Sequence, residues 1–179
     1  EINAHPHKSG NVVLVHNGII ENHNALRSEL ERNGHVFSSE TDSEIVAHLI
    51  DQLRSEGADP VHSVIRAIDK IEGAYALCVA FADQGDRLVC TKKSSPLVLG
   101  YGETENFIAS DIPAILEHTA KVDFLLDGEV AEISRSGIRV WNSAGQEVSR
   151  PPKVITWDPI AAEKGGHKHF MHKEIFEQP

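Results

Sequence analysis

Ile45, Val46, Leu49, Ile50 and Leu53 recur every three or four positions, and so do Val61, Val64, Ile65, Ile68 and Ile71. This spacing lines up apolar side chains on one face of a helix. Thr41 and Glu44 precede the first stretch as a capping box, which places Asp42 in the first helical turn. The second stretch opens with Asp59 as cap and Pro60 at the first helical position, and stops near Gly73. Upstream, Asn22 or Asn24 caps a shorter helix that carries Leu26 and Leu30 on one face, with Gly34 as its left-handed stop.

Continuous apolar runs at 12–16 and 74–82 predict buried strands, and shorter strands follow at 87–92, 97–101, 106–110, 121–125, 129–134 and 138–141. A brief helix is predicted over 112–117. Asp127-Gly128 and Ser136-Gly137 are turn signals, the second joining the last two strands as a hairpin. Helices grouped ahead of a run of short strands predict α+β layers with antiparallel sheets, not a doubly wound parallel sheet. The stretch 142–166 is polar and turn-rich and reads as a peripheral extension or linker.

Composition narrows the function classes. The 179 residues, 40% hydrophobic, suffice for one sizeable core. A net charge of −10, from 27 acidic and 17 basic residues with no basic run, argues against nucleic-acid binding. No apolar segment approaches the roughly 18 residues of a membrane helix, and no basic segment followed by an apolar one opens the sequence. Cys78 and Cys90 sit inside apolar runs and read as reduced core residues of a cytoplasmic protein.

The candidate chemistry starts at Asn17-Gly18 inside VLVHNGIIEN. Taken alone, Asn-Gly between apolar runs is a tight hairpin turn with both residues at positive φ. An acidic residue such as Asp42 in a first helical turn is explained by the helix dipole alone, worth about 0.3–1 kcal/mol. Glu44 reads as the capping-box partner and nothing more. His5, His7 and His16 read as hydrogen-bonded structural histidines near the same region. His167, His169 and His172 suggest a metal cluster, but no carboxylate or cysteine set is spaced with them, so a linker is the better reading and no metal or cofactor is expected. Cys78 and Cys90 lack the electropositive, accessible setting of a reactive thiol.

NAHPH, VVLVHNGIIENH, SSETDSE, GAYAL, SPLVLGYGETENFIASD and HKHFMHKEIFEQP, in this order and spacing, change the balance. Together they resemble the glutaminase domain of the glucosamine-fructose-6-phosphate aminotransferase family, class II glutamine amidotransferases of the N-terminal-nucleophile hydrolase superfamily. The resemblance implies a four-layer sandwich, two antiparallel sheets between helical layers. It implies glutamine hydrolysed to glutamate, with the ammonia passed to a sugar-isomerase domain that aminates fructose 6-phosphate. By matching position, Asn17 supplies its side-chain amide and Gly18 its backbone N–H to an oxyanion hole, and Asp42 binds the substrate α-amino group.

In that family the nucleophile is an amino-terminal cysteine whose own amine is the base, and an Arg-Trp-Ala-Thr-His-Gly stretch precedes the NAHPH match. Here the sequence opens at Glu1. The resemblance therefore implies an amino-terminally truncated glutaminase domain over 1–160, inactive by itself, and a linker over 161–179 towards an absent sugar-isomerase domain. The alternatives are the glutaminase half of another class II amidotransferase and a non-catalytic module of the same fold.

Overall fold

The computed structural model describes residues 2–156. Three helices form where the apolar spacing predicts them: α1 (His23–Arg32), α2 (Asp42–Ser55) and α3 (Pro60–Ile68). The Thr41 side chain caps α2 by accepting from the Glu44 N–H, and Asp59 caps α3 by accepting from Val61 and His62. Asn22 precedes α1 without a side-chain cap bond. Its amide reaches across instead, donating to Lys70 O at 2.8 Å and accepting from Glu72 N at 3.0 Å, which ties the start of α1 to the segment before the next strand.

The strands are β1 (His7–Ser9), β2 (Val12–Ile20), β3 (Gly73–Phe81), β4 (Arg87–Lys93), β5 (Val98–Tyr101), β6 (Asn106–Ala109), β7 (Lys121–Phe124), β8 (Val130–Ser134), β9 (Gly137–Trp141), β10 (Glu147–Val148) and β11 (Lys153–Val154). They pair antiparallel into a seven-stranded sheet, β1-β2-β3-β4-β8-β9-β10, and a four-stranded sheet, β11-β7-β5-β6. Alternation along each strand sorts the side chains into layers. Val12, Leu14, Ile20, Leu77, Val79 and Phe81 bury one face of the larger sheet against the helices. Ala76, Cys90, Ala131 and Ile133 on its other face pack against Leu99 of the smaller sheet and against Leu97 and Leu125, which adjoin its strands. The outer face of the smaller sheet, at Val98 and Val122, is covered by Ile112 and Ile115.

This is the expected α+β fold of two stacked antiparallel sheets. Three details differ from the sequence reading. The helix predicted over 112–117 is a 3-10 turn, Ile112–Ala114, because the backbone at Ile115 (φ −121) has already left the helical region. The strand predicted over 12–16 runs on to Ile20, straight through Asn17-Gly18. No hairpin forms there, because β3 pairs with all nine residues of β2, including Asn17↔Ala76 and Gly18↔Tyr75.

The third difference concerns the stretch read as a peripheral extension. Residues 142–156 belong to the domain: β10 pairs with β9, and β11 pairs with β7. Between them Arg150 bonds the Asp123 carboxylate of β7 through Nε at 2.8 Å and the Glu129 carboxylate through both terminal nitrogens at 2.7 and 2.8 Å. Glu129 lies just before β8 of the larger sheet, so one guanidinium joins both sheets. The stretch 161–179 and His167, His169 and His172 lie outside the described residues. No helix among the described residues is long and apolar enough to cross a membrane.

The two carboxylates held by Arg150 are 5% and 9% exposed. Removing one partner of a buried ion pair leaves an uncompensated charge. Arg150→Ala is therefore expected to lower stability by about 3 kcal/mol. Urea unfolding measures it, and an unchanged midpoint would refute the clamp.

Candidate active site

Gly18 lies in the middle of an ordinary ladder but in an uncommon conformation, φ +138. A Cβ there would run into the Ala74 carbonyl oxygen and come within 2.8 Å of the Tyr75 Cα. Gly73, two pairs along at the end of β3, has φ +123, and a Cβ on it would meet the Ile19 carbonyl oxygen. The two glycines let the strands approach closely, each accommodating a carbonyl of the other strand. An alanine at either position meets backbone, which cannot swing aside.

Around Gly18 the two faces of β2 differ. Val12, Leu14, His16 and Ile20 are buried on the helical side, whereas Val15, Asn17 and Ile19 are exposed on the other. Asn17 opens onto a cavity of about 410 Å³ between the two sheets, shared with Val15, Ala76, Cys78, Leu97 and Ile108. On the edge away from β3, β1 pairs with β2 only as far as Leu14.

The first turn of α2 is fastened to β2 on both sides of Gly18. The Ile20 N–H donates to Asp42 Oδ2 at 2.8 Å. His16 Nδ1 lies 2.9 Å from the Ser43 hydroxyl. Asp42 is thus brought, half-buried, to the backbone two residues beyond Gly18. His16 Nε2 is buried and has no hydrogen-bond partner among the described residues. Burial pushes the His16 pKa down, against the pull of the Asp42 carboxylate, so its imidazole is neutral at neutral pH.

Glu44 does more than the capping box requires. Its amide completes the cap on Thr41, but its carboxylate does not return to the Thr41 N–H. It accepts from Ser38 N and Oγ at 2.8 and 2.6 Å and from Ser39 N and Oγ at 2.6 Å each. The Thr41 N–H turns to Ser39 Oγ instead. Burial pushes the Glu44 carboxyl up, and the hydroxyls and amides of Ser38 and Ser39 outweigh it, holding the pKa down at about 2. His7 Nε2 lies 3.3 Å from Thr41 Oγ1, which brings the His5-Pro6-His7 segment against the same turn. His5 is exposed and stacks edge-on against His7.

Among the described residues no group of three or more potential ligands could hold a metal ion. Cys78 and Cys90 face each other across β3 and β4. Burial pushes Cys78 up to about 11 and Cys90 well above the ordinary thiol value, so neither is an activated nucleophile.

Known proteins give this geometry a context. A profile described as a glutamine amidotransferase domain matches residues 4–117. The chain belongs to the glutamine amidotransferase domain family. The glutamine--fructose-6-phosphate aminotransferase of Thermococcus kodakarensis is 48% identical over 182 residues, and that of Aquifex aeolicus 46% over 179. The alignments cover 100% and 99% of this chain but only 30% of either relative. This amidotransferase domain therefore spans under a third of the length of those relatives. Among solved structures, the glutamine phosphoribosylpyrophosphate amidotransferase of B. subtilis superposes with a TM-score of 0.68 at 22% identity, covering 89% of this chain and 39% of that one. A glutamine aminotransferase class-II domain protein of Silicibacter pomeroyi gives a TM-score of 0.56 at 18% identity, with 79% and 70% coverage. At such identities these two establish the fold.

The sequence reading missed the network at Ser38 and Ser39. A run of hydroxyl residues just before a helix start, with an acid in its first turn, was the available signal. The low pKa of Glu44 sets the sign of a pH effect. Its carboxyl lies below its unfolded value, so its contribution to stability is complete above about pH 4.5 and disappears as pH falls towards 2. Relative to Glu44→Gln, the native chain is expected to lose about 3 kcal/mol over that window. Urea titrations at stepped pH read this directly, and parallel curves for the two proteins would refute it.

Proposed function

We propose that this domain binds L-glutamine at the corner made by Asn17, Gly18 and Asp42 and hydrolyses its side-chain amide, the ammonia serving glucosamine 6-phosphate synthesis from fructose 6-phosphate. The observation that carries the reading is the fastening of Asp42 to Ile20, two residues beyond Gly18, where no strand among the described residues pairs with the outer edge of β2. In an antiparallel ladder successive N–H groups point to opposite sides. The Glu21 N–H bonds Glu72 O on the β3 side and the Ile20 N–H bonds Asp42. The Gly18 N–H therefore faces the same side as that of Ile20.

Acyl transfer from the amide puts negative charge on the former carbonyl oxygen. A thiolate attacks the carbonyl carbon, ammonia leaves, and water releases glutamate from the thioester. The Gly18 N–H and the Asn17 carboxamide, held on a rigid strand, supply the two donors that this charge needs. Asp42 Oδ2 is occupied by Ile20, and its other carboxylate oxygen takes the substrate ammonium, a charge-assisted bond. Cys78 and Cys90, held protonated by burial, are unsuited to the attack, and the reading assigns the thiolate to neither of them.

The ammonia acceptor would be a sugar-isomerase domain, in keeping with relatives over three times as long as this chain, and 161–179 would lead towards it. The same relatives favour this reading over another class II amidotransferase. The setting is cytoplasmic, where Cys78 and Cys90 stay reduced. Net charge −10 suits a small-molecule substrate and not a nucleic acid.

In a complete polypeptide carrying an amino-terminal cysteine segment, Asn17→Ala is expected to lower glutaminase kcat about 100-fold or more. Asp42→Asn is expected to act mainly by raising KM. A coupled glutamate assay measures both. An unchanged kcat in the first variant would rule out the oxyanion role.

A further inference from the structure

We propose that Glu44 is a positioning residue for this site: from inside α2 it holds the turn 38–41, and that turn sets where Asp42 meets the β2 backbone. The functional half of the proposal rests on the glutaminase reading above. The geometric half stands on contacts within the chain.

A cap for α2 needs only Thr41 and the Glu44 amide. Nothing in that role asks for a carboxylate that is 2% exposed and bonded by four donors from two successive serines. Among the described residues no lysine or arginine pairs with it. The basic group that approaches it there, His48 Nε2, is 3.7 Å away, and burial and the neighbouring His35 push the pKa of His48 down. The charge is balanced by the serine amides and hydroxyls and by the start of the helix itself. The dependence runs both ways, because among the described residues the converging amides of Ser38 and Ser39 have no other acceptor.

Asp42 follows Ser39 by three residues, so the path of the turn fixes its Cα. Ser39 also holds Thr41, through Thr41 N at 3.3 Å and Thr41 Oγ1 at 2.9 Å. From outside, Arg27 donates to Ser39 O at 3.2 Å and lies over the Phe37 ring at 4.5 Å, closing the turn down onto Glu44. If the carboxylate is lost, Ser38 and Ser39 are released, and the Ile20–Asp42 bond loses its fixed end. Misplacement of a substrate-holding group by about 1 Å is enough to cost 100-fold in rate.

The Ile20 amide reports on this without substrate. In the 15N-labelled full chain, Glu44→Gln is expected to shift that amide and raise its hydrogen exchange tenfold or more, while the amides of β3 and β4 keep native protection. Asp42→Asn, which removes the acceptor charge directly, should move the same amide. If the Ile20 amide is unchanged in Glu44→Gln, or if it and the β3–β4 amides lose protection together, Glu44 is a stability residue only and the proposal fails. Should Glu44→Gln not fold, Ser38→Ala and Ser39→Ala separately are expected to give the same selective loss in smaller measure, and native protection at Ile20 in both would overturn the proposal. Added L-glutamate should shift the Gly18 and Ile20 amides of the native chain, with affinity at least tenfold weaker in Glu44→Gln. Selective loss at Ile20 with no response of the native chain to L-glutamate would leave the positioning geometry intact and sink the glutamine reading instead.

Discussion

The joint between the first turn of α2 and the far half of β2 is the constraint on which the candidate site depends. Ser43 meets His16 and Asp42 meets Ile20, so the helix is fixed to the strand at two points that straddle Gly18. Gly18 itself is fixed by the opposite strand, whose carbonyl occupies the space of any side chain it could carry. A helix start, a glycine and a neighbouring strand thus define one corner from three directions. The stacked sheets behind it provide stiffness, and Arg150 ties them to each other away from that corner.

Much of this was legible in the sequence, where the signals were local. The spacing of Ile45, Val46, Leu49, Ile50 and Leu53 announced α2, and Asp59-Pro60 announced α3, because a cap and an apolar face are written within a dozen residues. Asn17-Gly18 failed as a local signal. Its turn propensity is real, but β3 supplies a full ladder on one side, and tertiary pairing overrides a preference worth little by itself. β1, β10 and β11 escaped notice because strands of two or three residues exist only through their partners. The family motifs pointed to Asn17, Gly18 and Asp42 as a set, and a contact between residues 22 apart in sequence brings Asp42 to Ile20, two residues beyond Gly18. Glu44 was underrated because its partners sit before the helix, outside the reciprocal pattern that a capping box leads one to expect.

The division between fold and chemistry follows the same line. Solved structures at 18–22% identity share the sandwich, whereas the fructose-6-phosphate aminotransferases are 46–48% identical across almost all of this chain. A layered core tolerates wholesale exchange of apolar residues provided volume and pattern persist. The β2 corner has no such latitude, since two of its requirements, a missing side chain and a carboxylate of fixed reach, have no substitutes among the common residues.

The hydroxyls beside Glu44 carry a polarity that reaches an imidazole. Each hydroxyl has a single hydrogen. Ser39 gives its own to the Glu44 carboxylate, so Thr41 must give its hydrogen to Ser39 Oγ, and Thr41 Oγ1 then has only lone pairs to offer His7. Nδ1 and Nε2 of His7 lie 3.4 and 3.3 Å from Thr41 Oγ1, and whichever of them makes the bond must carry the proton. Because burial keeps His7 neutral, its other nitrogen is bare. An acid buried 37 residues along the chain thereby makes His7 the donor, never the acceptor, in its bond to Thr41.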